Sequence, residues 1–222
     1  MTEPAKTEPA KTESADTGPA ITLHGMRLSG HSHRAELFLS LLGLPYRFEE
    51  ATGAVRAGAA FRRLNPLGQI PVLVDGEAVI ADSNAILVYL ARRYAPGSAW
   101  LPDAPEAAAQ VQRWLSIAAG EVRYGPALAR LMVLFGAQAE RAAVEATASR
   151  VLRFMDDHLA GRDFLAAPHP TLADIACYSY VAHAPEGGVP LDPYPAVRAW
   201  LGRVEALPGF LPMPRSPIPE AA

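Results

Sequence analysis

Hydrophobic positions recur with two different periods along the chain, and the change from one to the other divides it. Ile21 and Leu23, followed by Met26 or Leu28, read as a first strand and its turn. From Arg34 the spacing becomes helical, with Ala35, Leu37, Phe38, Leu41 and Leu42 apolar, Ser32 available as the cap and Gly43 as the stop. Leu44-Pro45 prevents further helix, and Tyr46-Arg47-Phe48-Glu49 alternates as a second strand. Strand, helix, strand is a βαβ unit whose crossover sets the two strands parallel. Residues 51–64 carry glycine and arginine and read as only partly helical.

Residues 65–83, NPLGQIPVLVDGEAVIADS, carry the densest set of local signals. Val72-Leu73-Val74 and Ala78-Val79-Ile80 flank Asp75-Gly76, a pair suited to the left-handed positions of a tight turn, which predicts a β-hairpin completing a small mixed sheet. The hairpin is entered through Ile70-Pro71, where proline suits only the start or edge of a strand and the preceding bond is a candidate cis peptide. It is left through Asp82-Ser83, either of which can cap a helix carrying Ala85, Ile86, Leu87, Tyr89 and Leu90.

Residues 94–105, YAPGSAWLPDAP, read as a linker. Beyond it the composition shifts to alanine, leucine and arginine, and helical spacing predicts an all-α second domain with helices near 106–119, 128–135, 137–159, 171–183 and 196–206. Thr171-Leu172-Ala173-Asp174 has the spacing of a capping box, in which losing either end costs about 1 kcal/mol. Cys177 falls on that helix and reads as an inert core thiol. The closing run LPGFLPMPRSP is not helical and either folds back or trails. The expected boundaries are a tail at 1–18, an α/β domain at 19–94, a linker at 95–105, an all-α domain at 106–214 and a second tail at 215–222.

Composition narrows the function classes. The chain has 222 residues and a formal net charge of -3, so no global field recruits nucleic acid. No apolar run approaches the ~20 residues that span a membrane, and MTEPAKTEPAK lacks the apolar core of a secretory signal, so a cytoplasmic protein is expected. Residues 1–18 repeat TEPAK, TEPAK, TESAD, a composition that reads as disordered. With Cys177 the sole cysteine, no disulfide forms within the chain.

The first strand-to-helix turn, Ser29-Gly30-His31-Ser32-His33, is where open α/β sheets place ligands. It carries no cysteine, which argues against thiol exchange by the protein itself and leaves any thiol chemistry to a bound ligand. Ser29 and Ser32 can each donate to a thiolate at a helix N-terminus, and each can equally be a cap. His31-x-His33 has metal-like spacing without further ligands, so no metal is expected. His24 and His33 read as turn or surface residues.

Residues 65–94, the Q-I-P-V-L run with its turn and the D-S step, resemble the glutathione S-transferases. The resemblance extends over about 21–214, through the TLADI helix and the EALPGF end. It implies a thioredoxin-like N-terminal domain followed by an all-α C-terminal domain, with glutathione as co-substrate. By the same resemblance Ile70 and Pro71 pair with the cysteinyl backbone of glutathione, Asp82 and Ser83 hold its γ-glutamyl end, and Gln69 reaches its polar end. Arg56 meets the glycyl carboxylate, and His31 approaches the thiol or that carboxylate. Counting back from Arg34-Ala35 puts the hydroxyl position of serine-type members near Gly30, between Ser29 and Ser32. The implied activity is conjugation of glutathione to a hydrophobic electrophile between the domains, with Trp114, Tyr124 and Met132 as candidate wall residues, in a homodimer. A non-catalytic binding module of the same fold and a glutathione-dependent disulfide reductase are the alternatives.

Overall fold

The computed structural model describes residues 20–219. The predicted tail at 1–18 and the final residues 220–222 lie outside the described residues. Strand β1 (Ile21–Gly25) runs parallel to β2 (Tyr46–Glu50), with helix α1 (Gly30–Leu41) as the crossover. The hairpin of β3 (Val72–Asp75) and β4 (Ala78–Ala81) pairs antiparallel to β1, giving the order β2-β1-β3-β4. Asp75 pairs with Ala78, so the turn residues are Gly76 and Glu77, one place later than Asp75-Gly76. Gly76 at φ 58 takes the left-handed position, while Asp75 accepts hydrogen bonds from the Tyr89 and Tyr94 hydroxyls.

Residues 51–64 form two short helices, α2 (Gly53–Ala57) and α3 (Ala59–Leu64). Helix α4 (Ser83–Tyr94) closes the first half. The second half contains α5 (Pro105–Ala119), α6 (Leu128–Phe135), α7 (Arg141–Leu159), α8 (Leu172–Ala182) and α9 (Pro195–Glu205). A wide helical turn at Arg123–Ala127 precedes α6, and a tight one at Ala184–Gly187 follows α8. Helix α7 begins at Arg141, not at 137, because Gly136 at φ 65 ends α6 and the Glu140 carboxylate caps the amides of Ala142 and Ala143.

Helix α8 is buried from Leu172 to Val181 and packs against α1, α4, α5 and α9. A helix without a polar face belongs at the centre of the fold. Its capping box is formed, with the Thr171 amide donating to Asp174 Oδ2 at 2.9 Å and the Ala173 amide to Thr171 Oγ1 at 3.2 Å. Asp174 Oδ1 also accepts from the Leu165 amide and from Trp200 Nε1, each at 2.9 Å, so one carboxylate ties α8 to the preceding loop and to α9. Cys177 is fully buried on this helix, its thiol pushed up to about 12 by that burial. The C-terminal run folds back: Ser40 Oγ donates to the Gly209 carbonyl, and the Ser216 amide donates to Glu186.

Candidate functional site

Between the sheet half and the helical half lies a cavity of ≈ 580 Å³. Ser29, His31, Arg56, Gln69, Ile70, Pro71, Asp82 and Ser83, each singled out from the sequence, all line it. On one wall the chain turns through a cis Ile70-Pro71 bond into β3. The approach is held by Asn65, whose amide donates to the Gln69 carbonyl at 2.9 Å and whose oxygen accepts from the Leu67 amide.

The start of α4 forms the adjoining wall. Asp82 takes φ 80, the sole non-glycine residue at positive φ among the described residues, in order to cap the helix. Its Oδ1 accepts from the amides of Asn84 and Ala85, at 2.9 and 3.0 Å. A conformation of this kind costs on the order of 1–3 kcal/mol and points to a constraint beyond local folding.

Ser83, the first residue of the helix, is joined to α1 by two contacts. Arg34 Nη1 donates to Ser83 Oγ and to Asn84 Oδ1, each at 2.8 Å, and Ser83 Oγ lies 3.3 Å from His31 Nδ1. Burial, with Arg34 and Arg123 nearby, holds His31 well below its ordinary value, so the imidazole is neutral at neutral pH. A neutral ring leaves Nδ1 free to accept the Ser83 hydroxyl hydrogen while Ser83 accepts from Arg34. Arg34 itself is fully buried, and its Nε and Nη2 find no partner. A guanidinium held there at such expense keeps positive charge behind the amides that open α4.

The two serines separate. Ser29 lines the cavity and its Oγ accepts from the Ser32 amide at 3.3 Å, so Ser29, not Ser32, caps α1 and the helix starts at Gly30. Ser32 is fully buried, its Oγ accepts from the Met26 amide at 3.1 Å, and it is absent from the cavity wall. Its duty is to fold the turn, which removes it as a group able to touch a ligand's sulfur. His33 is also buried, not a surface residue: its ring lies 2.8 Å from Ser179 Oγ and 2.7 Å from the Leu211 carbonyl. His31 and His33 thus face different partners. Among the described residues no three His, Cys, Asp or Glu side chains gather as a metal site.

The helical half contributes Arg123, Leu131, Phe135 and Tyr180 to the cavity. The expected wall residues do not: Trp114 is fully buried and stacked on Phe154, Tyr124 is exposed, and Met132 is absent from the wall. Arg123, the first residue of the wide turn at Arg123–Ala127, lines the cavity, whereas its neighbour Tyr124 does not. Arg123 Nη1 and Arg56 Nε are both buried without a partner, leaving two guanidiniums with unused donors on one cavity.

Residues 23–98 match the glutathione S-transferase N-terminal domain, and residues 138–203 match the C-terminal domain. The mouse glutathione S-transferase theta-1 is 32% identical over 200 residues, covering 78% of this chain and 83% of its own length. The chain belongs to the glutathione S-transferase family. A crystal structure from Rhodopseudomonas palustris, described as a possible glutathione S-transferase, superposes with a TM-score of 0.81 at 33% identity, covering 89% of this chain and 100% of that one. A theta-class glutathione S-transferase from Xanthomonas axonopodis pv. citri, solved with glutathione bound, gives a TM-score of 0.75 at 31% identity, over 86% of this chain and 95% of that one. The fold is therefore that of the family, a thioredoxin-like half joined to a helical one.

Sequence reasoning missed Arg34, Arg123 and Tyr180. Arg34 sat in a helical pattern as a charge on an apolar face, a signal available in the sequence. Arg123 and Tyr180 carried no local signal. Arg130 was missed as well: its Nη1 donates to the Leu28 carbonyl at 2.7 Å, bracing the turn that carries Ser29 from behind. A buried bond to Glu186 at 2.7 Å holds Arg130 in place.

Proposed function

We propose that this glutathione transferase lowers the pKa of a bound glutathione thiol and directs the thiolate onto an electrophilic carbon of a hydrophobic second substrate. The observation that carries the reading is the Arg34–Ser83–His31 cluster, set on the same cavity as the Ile70-Pro71 turn. An extended tripeptide lies along Ile70, with its γ-glutamyl carboxylate on the Ser83 amide and hydroxyl at the N-terminus of α4, where unpaired amides favour an anion. Asp82 and Gln69 meet the γ-glutamyl ammonium and backbone, and Arg56 takes the glycyl carboxylate with its unused donors. The sulfur then falls beside Ser29 at the N-terminus of α1, whose positive potential favours the thiolate. Met26, Leu28, Leu67, Leu131 and Phe135 supply apolar surface for the acceptor. The relative solved with glutathione bound supports the same ligand here.

With a chloronitroaromatic acceptor the sulfur lone pair forms the new carbon–sulfur bond, chloride leaves with its electron pair, and the thiol proton passes to solvent. Retention on glutathione resin together with an initial rate of conjugation is the expected result. Retention without a rate would convert the protein into a binding module, and failure to bind glutathione would overturn the reading. Assembly as a homodimer is part of the proposal, and a sedimentation experiment at micromolar concentration tests it.

A further inference from the structure

Position 30, next to the Ser29 cap at the N-terminus of α1, has no side chain. The volume is not empty. A Cβ built on Gly30 would lie 2.8 Å from both Cε1 and Cζ of Tyr180 and 3.0 Å from its Cδ1. The ring of Tyr180 therefore fills the space that a residue-30 side chain would use, with its Cε1–Cζ edge closest. The same ring meets His31 edge to face, with centroids 4.9 Å apart, and lines the cavity. Helix α8, central and packed against α1, holds the phenol in position.

We propose that Tyr180, delivered from the helical half, is the catalytic hydroxyl that stabilises the glutathione thiolate, standing where the side chain of position 30 would otherwise project. The inference rests on the glutathione site proposed above. The phenol acts as a donor: its O–H points a hydrogen bond at sulfur, the thiol proton goes to solvent, and no bond of the tyrosine is broken. Burial pushes the Tyr180 hydroxyl up, against the pull of Arg34, Arg123 and the His31 backbone amide, so it keeps its proton at neutral pH. Ser29, whose oxygen already accepts the Ser32 amide, is the second donor.

Tyr180→Phe removes one oxygen and keeps the packing. Three readouts apply: glutathione affinity by calorimetry, the pKa of the bound thiol from the ultraviolet absorbance of its thiolate, and the pH profile of kcat/KM with a chloronitroaromatic acceptor. The variant is expected to bind glutathione within about threefold of the parent, to raise the thiol pKa by about one unit or more, and to lose roughly ten- to a hundredfold in kcat/KM at neutral pH, with recovery as pH rises. Tyr180→Ala should lose at least as much rate, and Gly30→Ser added to it should restore part of the rate, because the serine then occupies the vacated space. A merely structural tyrosine would not give that rescue. Unchanged thiol pKa and pH profile in Tyr180→Phe, with glutathione still bound, would overturn the assignment while leaving the site intact. A parent protein that fails to bind glutathione would overturn both.

Discussion

Acidification should destabilise the fold through His33, and the size of the effect can be worked from its surroundings. The Leu211 carbonyl can only accept, so His33 Nε2 carries the hydrogen and Nδ1 is the bare nitrogen that receives the Ser179 hydroxyl. Both contacts are satisfied by the neutral ring. Burial is the main reason the residue is lowered from 6.5 to about 4, with the Leu211 carbonyl opposing it and His183, Arg130 and Arg34 reinforcing it. A folded value below the unfolded one means the unfolded chain takes up the proton first as pH falls. The stability is whole above about 6.5 and drains away as pH falls through the folded value of about 4. At 1.36 kcal/mol for each unit, the full loss is about 3 kcal/mol, and at pH 5 about 2 kcal/mol is already gone. Against a typical total of roughly 5–15 kcal/mol, that is a sizeable fraction.

Burial also lowers His31 and His183, so acid loss in the parent alone would not single out His33. His33→Gln does, because glutamine can donate to the Leu211 carbonyl and does not titrate. The variant should be weaker at neutral pH by about 1–2 kcal/mol for its poorer fit. As pH falls from 6.5 toward 4 the gap should close, and under acid the variant should equal or exceed the parent. Urea unfolding followed by tryptophan fluorescence at fixed protein concentration across that range measures it. A gap that stays constant would show that His33 is not held neutral, and the account would fail.

Three further outcomes follow from buried contacts. Arg34→Met should keep or raise stability, since Nε and Nη2 of the arginine lack partners, while raising KM for glutathione about tenfold with a smaller change in kcat; unfolding midpoints and steady-state rates separate the two. Asp174→Ala should cost about 3–5 kcal/mol, because it strands the buried Leu165 and Thr171 amides and the Trp200 indole N–H together; urea midpoints will show it. Gly187→Ala should cost about 1–3 kcal/mol or more by the same assay, because its Cβ would sit 2.5 Å from the Arg130 amide of α6, a backbone atom that cannot step aside, whereas Gly202→Ala, with open space around it, should not.

Much of the cradle was legible because it is built from neighbours in sequence. Proline before a strand, a turn pair between two apolar runs and an acidic cap before a helix are local choices, and the structure places Ile70, Pro71, Asp82 and Ser83 on one cavity. Local patterns failed where two residues met the same rule. Ser29 and Ser32 can each cap a helix, and only the fit of Ser32 beneath β1, with its oxygen on the Met26 amide and close against Gly25, decides between them. The hairpin slipped by one place for a similar reason: Asp75 is a good turn residue, but the hydroxyls of Tyr89 and Tyr94 on α4 draw it into the strand. Arg123 and Tyr180 were hidden because nothing near them in the chain refers to the turn they face. The Gly125-Pro126 pair was a sign that helical phase would not carry through to α6, and so that Met132 was unsafe as a wall residue.

The position of the site between the two halves has a physical consequence for how it is held. The turn carrying Ser29 is closed locally by the Ser29 amide on the Met26 carbonyl, the Met26 amide on Ser32 Oγ and the Ser32 amide on Ser29 Oγ, and is braced from behind by the helical half. Arg130 grips the Leu28 carbonyl, Ser179 and the Leu211 carbonyl clamp His33, and Tyr180 fills the gap at Gly30. Arg130 is in turn fixed by Glu186; hydrogen bonds from the Ser216 amide, Arg130 and His183 overcome the effect of burial and keep that carboxyl below the usual range. Residues on α8 and the tight turn after it therefore act on the geometry of α1's first turn without facing the cavity, apart from Tyr180. A thiolate site needs its donors fixed to within a fraction of an ångström to be of use at the moment of attack. In the proposed site the sheet half would supply the ligand's backbone partners, and the rigidity of the first turn comes from the helices packed behind it.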